Sequence, residues 1–361
     1  MELFGLDRAE LLSLSEQLGQ PAFRGKQIAE WLYHKDARDI ASMSNLPTAM
    51  REELARVATL KRSNVITESK ATDGTAKYLL ELADGETIES VLLPYPDRVS
   101  VCVSTQVGCP AGCLFCATGA SGFVRNLTAG EIVDQVLTLQ SFDKLRMLDK
   151  LRMPFDKLPS DKLEMQTRRV THVVFMGMGE PLLNFDNVVK ALHLLNDEVG
   201  IGMRRMTLST IGLPPAIRKL KELDLQITLA VSLHAPDDTL RRQIIPLSAK
   251  HPLKELMASC REYADFTKRR VTFEYLLLAG VNDSPEQASA LAKLLHHTLC
   301  NVNLIPFNEV PGLSYKRPSR EAIHAFRAVL EEAGIEVTQR MERGHSISAA
   351  CGQLRRRRNS N

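Results

Sequence analysis

Val107-Gly108-Cys109-Pro110-Ala111-Gly112-Cys113-Leu114-Phe115-Cys116-Ala117-Thr118-Gly119 carries three cysteines at the spacing C-x3-C-x2-C. Three thiolates so spaced can hold three irons of a four-iron cluster and leave the fourth iron open. An open metal position can bind a substrate, as in other catalytic metal sites. A structural zinc site is the competing reading. Zinc wants four ligands in paired sets, however, and the next cysteine after Cys116 is Cys260. The open-iron cluster is therefore favoured.

Around this turn the pattern is α/β. Val99 to Ser104 reads as a strand leading into the cysteine turn. Before it, Tyr78 to Leu82, a turn at Asp84-Gly85, and Thr87 to Leu93 predict a hairpin. After it, strands are expected at 170–175, 205–208, 226–233, 271–278 and 302–305, with helices at 187–196, 215–223 and 285–297 between them. This alternation predicts a parallel sheet, open or closed into a barrel, with the chemistry at the C-terminal strand ends. The polar motifs fall at those ends: Gly177-Met178-Gly179-Glu180, Ser209, Ser232-Leu233-His234 and Asn308. Glycines let backbone approach a ligand closely, and Glu180 can accept from an ammonium group.

Residues from about Leu6 to Leu60 read as helical. Asn45-Leu46-Pro47 suggests a helix start with Asn45 near the cap, and Phe23 and Trp31 are expected in the core of a small helical unit. One segment breaks the alternation. Residues 141–164 repeat Asp-Lys-Leu motifs (Asp143, Asp149, Asp156, Asp161) and are read as a solvated insertion rather than an RNA-contacting arm. Arg355 to Arg358 close the chain as a basic tail, able to add salt-dependent attraction to phosphates. The resulting division is 1–70 helical, 71–98 a β-hairpin extension, 99–345 the barrel core with its insertion, and 346–361 a C-terminal segment.

The 361 residues suffice for a large core. A formal net charge of +3, from 46 Lys+Arg against 43 Asp+Glu, gives no global argument for nucleic acid. The acidic start Met1-Glu2-Leu3-Phe4-Gly5-Leu6-Asp7 does not read as a signal peptide, and no apolar run is long enough to span a bilayer. Seven cysteines do not make a disulfide scaffold, so a reducing cytoplasm is expected and no membrane partner. Outside the triplet, Cys260 and Cys300 read as small hydrophobes in helical contexts. Cys102 and Cys351 invite the same reading, although Cys351 lies among small residues that permit close approach.

Several blocks occur in order: Cys102-Val103-Ser104-Thr105-Gln106-Val107-Gly108-Cys109, Asn126-Leu127-Thr128-Ala129-Gly130-Glu131-Ile132, Met176-Gly177-Met178-Gly179-Glu180-Pro181-Leu182-Leu183-Asn184, Leu208-Ser209-Thr210-Ile211-Gly212, Val231-Ser232-Leu233-His234-Ala235, Leu304-Ile305-Pro306-Phe307-Asn308 and Ala349-Ala350-Cys351-Gly352-Gln353-Leu354. Together they make the chain resemble the RlmN/Cfr family of radical S-adenosylmethionine (SAM) RNA methyltransferases over nearly its whole length. The 141–164 repeat and the arginine tail fall outside the resemblance.

The resemblance implies a partial (β/α)6 radical SAM barrel with a helical N-terminal accessory domain for RNA recognition. It implies a 4Fe-4S cluster on Cys109, Cys113 and Cys116. SAM would serve twice per turnover, contacted at Gly179, Glu180, Ser209, Ser232, Leu233, His234 and Asn308. The residue matching Cys351 takes a methyl group from one SAM. The radical from a second SAM removes hydrogen from that methyl group, and the carbon adds to adenine. Cys102 then aids release through a transient Cys102–Cys351 disulfide. Glu89 matches a proton-accepting residue, although the residues alone suggest an exposed hairpin carboxylate. RlmN-type members methylate C2 of an adenosine in the peptidyl-transferase centre of 23S rRNA and of an adenosine beside the anticodon of tRNAs. Cfr-type members methylate C8 of the same rRNA adenosine. Pro181 to Asn184 look like RlmN, whereas Ser346 to Ala349 lean toward Cfr. An electron donor such as flavodoxin completes the expected partners. A non-catalytic iron–sulfur RNA-binding protein is the alternative of another class, and Cys102 and Cys351 argue against it.

Overall fold

The computed structural model describes residues 1–151, 169–310, 312–340 and 343–354, with 142–151 as backbone alone. Three helices open the chain: α1 (Arg8–Gln17), α2 (Phe23–Tyr33) and α3 (Thr48–Val57). Asp7 and Glu10 close a reciprocal capping box at the start of α1. Gly25 lets α2 approach α1, since a Cβ there would lie 2.5 Å from the Leu11 carbonyl oxygen. The start expected at Asn45 falls at Pro47, which has no side-chain cap. Asn45 instead accepts from the Trp31 indole N–H.

The sheet explains the rest. Strands β1 (Asn64–Lys70), β2 (Ala76–Glu81), β3 (Thr87–Pro94) and β4 (Val99–Cys102) run antiparallel, so the predicted hairpin is present and is continuous with the barrel sheet. β1 lies inside the stretch that the sequence assigned to the helical unit. Its register is broken by a bulge between Val65 and Thr67 and its burial does not alternate, which hides the strand period.

Two short strands, β5 (Gln106–Gly108) and β6 (Phe123–Asn126), pair across the cysteine turn, with α4 (Ala117–Ala120) between them. The helix α5 (Ala129–Leu151) follows; the start of the 141–164 repeat continues it, and residues 152–164 lie outside the described residues. Then come β7 (His172–Phe175), α6 (Phe185–His193), β8 (Met206–Thr210), α7 (Pro214–Glu222), β9 (Thr228–Ser232), α8 (Asp238–Ile244), α9 (Leu253–Thr267), β10 (Val271–Leu277), α10 (Pro285–Leu295), β11 (Cys300–Pro306), α11 (Arg320–Glu332) and β12 (Val337–Gln339).

The sheet order is β1-β2-β3-β4-β7-β8-β9-β10-β11-β12, and every pairing from β4 to β12 is parallel. This is the expected α/β partial barrel. Six core strands, β4 and β7–β11, are joined by helices, with β12 as a short addition. Cys300 opens β11 rather than lying in a helix.

One hydrophobic core runs from Leu3, Leu11 and Ile28 of the helical unit through Tyr78 of the extension to Phe273 and Phe326 of the barrel. Arg62 joins the parts further, pairing with Asp134 of α5 and, at 2.9 Å, with Asp36. Phe23 is not in this core: it is 50% exposed, with the Arg24 guanidinium 4.7 Å from its ring centre. Trp31 is half-buried and packs against the core as expected, with the Lys35 ammonium over its ring. Helical spacing alone does not tell a core aromatic from one stacked under a cation on the surface. Among the described residues no helix is long and apolar enough to cross a membrane.

Candidate active site

The cysteine turn is shaped by close backbone contacts. Gly108 has φ +77°, and a Cβ on it would lie 1.9 Å from the Gly122 carbonyl oxygen. That proximity lets the Cys109 N–H donate to the same oxygen at 2.9 Å. Cys109, Cys113 and Cys116 are free thiols that line one cavity of about 150 Å³. Burial pushes Cys109 up to about 12 and Cys113 well above its ordinary value. Buried thiols become thiolates when a metal supplies the counter-charge. Among the described residues no three His, Cys, Asp or Glu side chains gather around one point as a single ion needs. A four-iron cube is held at its corners and takes a wider set of thiolates. Three uncommitted thiols on one cavity wall fit it.

The facing wall is the turn after β7. Gly179 has φ +105°, and a Cβ there would lie 2.7 Å from both Gln106 Cβ and Thr105 Oγ1, so this bend admits glycine alone. Glu180 is 2% exposed. Its carboxylate accepts from Thr210 Oγ1 at 2.6 Å, the Ile211 N–H at 2.8 Å and the Leu182 N–H at 2.9 Å. Burial still raises its pKa, against these bonds. A cation in the cavity would complete its charge balance.

Ser209, Ser232 and His234 line the same cavity. His234, at φ +59°, accepts the Leu276 N–H on Nδ1 at 3.0 Å. Burial lowers its pKa to about 3, so the ring is neutral and Nε2 carries the proton. Leu233 is placed differently. Its side chain is core, its N–H donates to the Glu274 carbonyl and its carbonyl accepts from Arg241. Asn308 lines an adjoining cavity, and its buried Oδ1 has no hydrogen-bond partner among the described residues.

That adjoining cavity is also lined by Cys102 and Cys351, and Cys351 faces both cavities. Burial, then the nearby Cys351, raises Cys102 to about 12, so it rests as a thiol. The Cys351 segment is held from three sides. Gly352 accepts the Ala117 N–H at 2.8 Å, Leu354 accepts Thr118 Oγ1 at 2.5 Å, and Gln353 donates to the Glu309 carbonyl at 2.9 Å. From the extension, Lys77 Nζ donates to the Ser348 carbonyl at 3.0 Å.

Lys77 also pairs with Glu89 at 3.1 Å, with both side chains at or below 5% exposure. Glu89 is therefore a buried, ion-paired carboxylate, not the exposed hairpin residue read from the strand pattern. Its neighbour across the sheet supplies the charge that makes burial tolerable.

Sequence reading passed over Lys77, Glu274, Arg340 and Arg241. Glu274 carried a signal, as a charge within the apolar run Val271 to Leu277; Asn303 donates to it at 2.8 Å. Arg340 lines both cavities and donates to Met176 Sδ at 3.2 Å. Its guanidinium is held charged chiefly by the nearby Cys351.

Fold and site together define a radical SAM enzyme. The radical SAM superfamily model matches residues 103–292, and the ribosomal RNA large subunit methyltransferase N-terminal domain matches residues 1–60. The chain is 49% identical over 355 residues to a protein of Trichormus variabilis named as a probable dual-specificity RNA methyltransferase RlmN, covering 98% of this chain and 93% of that one. A Gloeobacter violaceus protein of the same name is 48% identical over 98% of this chain and 95% of its own. The crystal structure of a radical SAM methyltransferase from Sphaerobacter thermophilus superimposes with a TM-score of 0.88 at 44% identity, covering 98% of this chain and 99% of that one. The chain belongs to the RlmN family of radical SAM RNA methyltransferases.

Proposed function

We propose that this protein methylates C2 of adenosine in RNA, with Cys351 as the methyl carrier. The observation that carries this reading is that Cys351 lines both the cavity of the cysteine triplet and the cavity of Cys102. A thiol there can meet SAM on one side and a base on the other. C2 of adenine is not nucleophilic, so direct displacement on SAM does not work there. Bound at Cys109, Cys113 and Cys116, the cluster would supply the electron that splits SAM and so opens a radical route.

The chain's own residues do the rest. The Glu180 carboxylate would receive the ammonium of SAM. The His234 Nε2–H, Ser209 and Ser232 offer polar contacts on the same wall, and Asn308 Oδ1 awaits a donor. Arg340, which lines both cavities with Cys351, places a positive charge where the first methyl group is taken. Glu89 would accept the proton lost from the ring, and Lys77 would hold its charge ready. The Cys102 sulfur would then lose its proton and attack the Cys351 sulfur, forming a disulfide as the sulfur–carbon bond to the product breaks and the released carbon keeps the electron pair and takes up a proton.

The substrates are an adenosine of the peptidyl-transferase centre in 23S rRNA and the adenosine 3′ of the anticodon in tRNAs, in a reducing cytoplasm with a flavodoxin-type donor. The RlmN relatives and Pro181 to Asn184 favour C2; Ser346 to Ala349 keep the C8 reading as the alternative. Mass spectrometry of nucleosides from rRNA and tRNA of cells lacking the gene is the test. Loss of 2-methyladenosine is expected. Unchanged 2-methyladenosine in both RNAs sinks the reading, and loss of 8-methyladenosine alone establishes the alternative.

A further inference from the structure

Arg241 is fully buried, one of the largest side chains with no exposure. It lies in α8, directly behind the ends of the two strands that carry Ser209 and Ser232. Its Nε donates to the Leu233 carbonyl at 3.1 Å, and Nη2 donates to the carbonyls of Ser232, at 3.2 Å, and Ile211. The last residue of the same helix reaches the cysteine turn: the Ile244 carbonyl accepts the N–H of Leu114, between Cys113 and Cys116, at 3.0 Å. Nη1 of Arg241 is buried and has no partner among the described residues.

Every bond this guanidinium makes is to a neutral carbonyl. The acidic group acting on it most strongly is the thiol of Cys113, ahead of Asp238 and Cys260. Burial lowers its pKa to about 10, against the opposing pull of these three groups. A buried charge that makes no ion pair among the described residues is costly, and such groups are ordinarily paired or bound to metal centres. Lysine would not replace it in the clamp, since only the planar fork reaches carbonyls of two strand ends at once.

We propose that Arg241 is the buried counter-charge of the thiolate-bound cluster: a positioning residue that fixes the ends of β8 and β9 and raises the potential at which the cluster accepts its electron. Three thiolates around an iron–sulfur core make an anionic unit, and one-electron reduction adds a further negative charge. A fixed positive charge beside one ligand favours the reduced state, because cluster potentials follow local charge and burial. The electron comes from an external low-potential donor, a reduced flavoprotein or dithionite. Arg241 makes and breaks no bond, and its proton stays in place.

This inference rests on the cluster being held by Cys109, Cys113 and Cys116. Iron and sulfide analysis of the reconstituted wild-type chain tests that assignment separately. The test of Arg241 is an EPR-monitored redox titration of the full-length, anaerobically reconstituted protein without SAM, comparing wild type, Arg241→Lys and Arg241→Met. Arg241→Met is expected to lower the equilibrium constant for one-electron reduction at least tenfold, about 59 mV. Arg241→Lys, which keeps the charge and loses the fork, is expected within threefold of wild type. A wild-type potential in fully loaded Arg241→Met overturns the proposal, as does an equal fall in both variants.

If Arg241→Met folds but takes up no iron, uptake becomes the readout. Restored uptake in Arg241→Lys supports the counter-charge, and failure of both variants overturns it. Circular dichroism of the iron-free proteins covers the remaining case. Collapse of iron-free Arg241→Met, with or without Arg241→Lys, assigns the residue to the carbonyl clamp alone and overturns the proposal.

Discussion

Cys113 and Cys351 line the same cavity, yet the chain builds their surroundings in opposite ways. The turn holding Cys113 is shaped by neighbours: Gly108, Gly112, Gly119 and Gly122, and strands β5 and β6 on either side. The segment holding Cys351 is gripped by groups far away in sequence. Lys77 and Asp73 are 271 residues from the atoms they bind, and Thr118 is 236 from its acceptor. A local turn needs few long-range contacts to exist. A segment fixed by distant side chains exists only in the completed fold and is drawn from the less stable end of the structure.

The contrast is broken most sharply at Cys351 itself. Cys351→Ala should abolish RNA methylation, a fall of about 10⁴-fold or more, while iron content and SAM binding stay at wild-type levels. Loss of iron together with methylation would show that the two regions are one cooperative unit. A second way in is the grip from the extension. Lys77→Met leaves Glu89 buried without its partner and should cost about 3–5 kcal/mol in urea unfolding. The double variant Lys77→Met/Glu89→Leu should recover most of that loss. No recovery would mean that the Ser348 bond, not the ion pair, carries the energy.

The pH dependence of stability sharpens the comparison on the SAM side. Burial raises the pKa of Glu180 and of Glu274, so the folded state binds these protons more tightly than the unfolded chain. The stability these two groups contribute to the ligand-free protein should be fullest below the ordinary carboxyl value near 4.5. That stability is lost as pH rises through the raised folded values, by about 1.36 kcal/mol for each pH unit of the shift. Glu180→Gln should flatten the slope of urea midpoint against pH; an unchanged slope would leave Glu274 as its source. The smallest effect is expected from deleting residues 141–164, which should change turnover by less than about threefold. Weaker RNA binding with a shallower salt dependence would instead assign the repeat to phosphate contact.

Much of this protein was legible in the chain. The parallel strands, the hairpin and the cysteine turn follow from periods and spacings that local sterics impose. The misreadings have a common cause. Phe23 sits at core spacing but is exposed beside Arg24. Glu89 alternates like an exposed strand residue but meets Lys77 from the next strand. Asn45 has the chemistry of a cap but accepts a hydrogen bond from the Trp31 indole. In each case a side chain's role depends on a partner that local sequence does not name.

The sequence by itself determined the cysteine turn, the Gly179–Glu180 bend and the parallel architecture, because each depends on a few adjacent residues and the backbone they permit. Tertiary structure alone decided that Cys351 faces both cavities, that Lys77 holds Glu89, and that Arg241 is buried on the carbonyls of two strand ends. Those facts depend on which buried charges and thiols are brought together from distant parts of the chain, and no spacing along it encodes that.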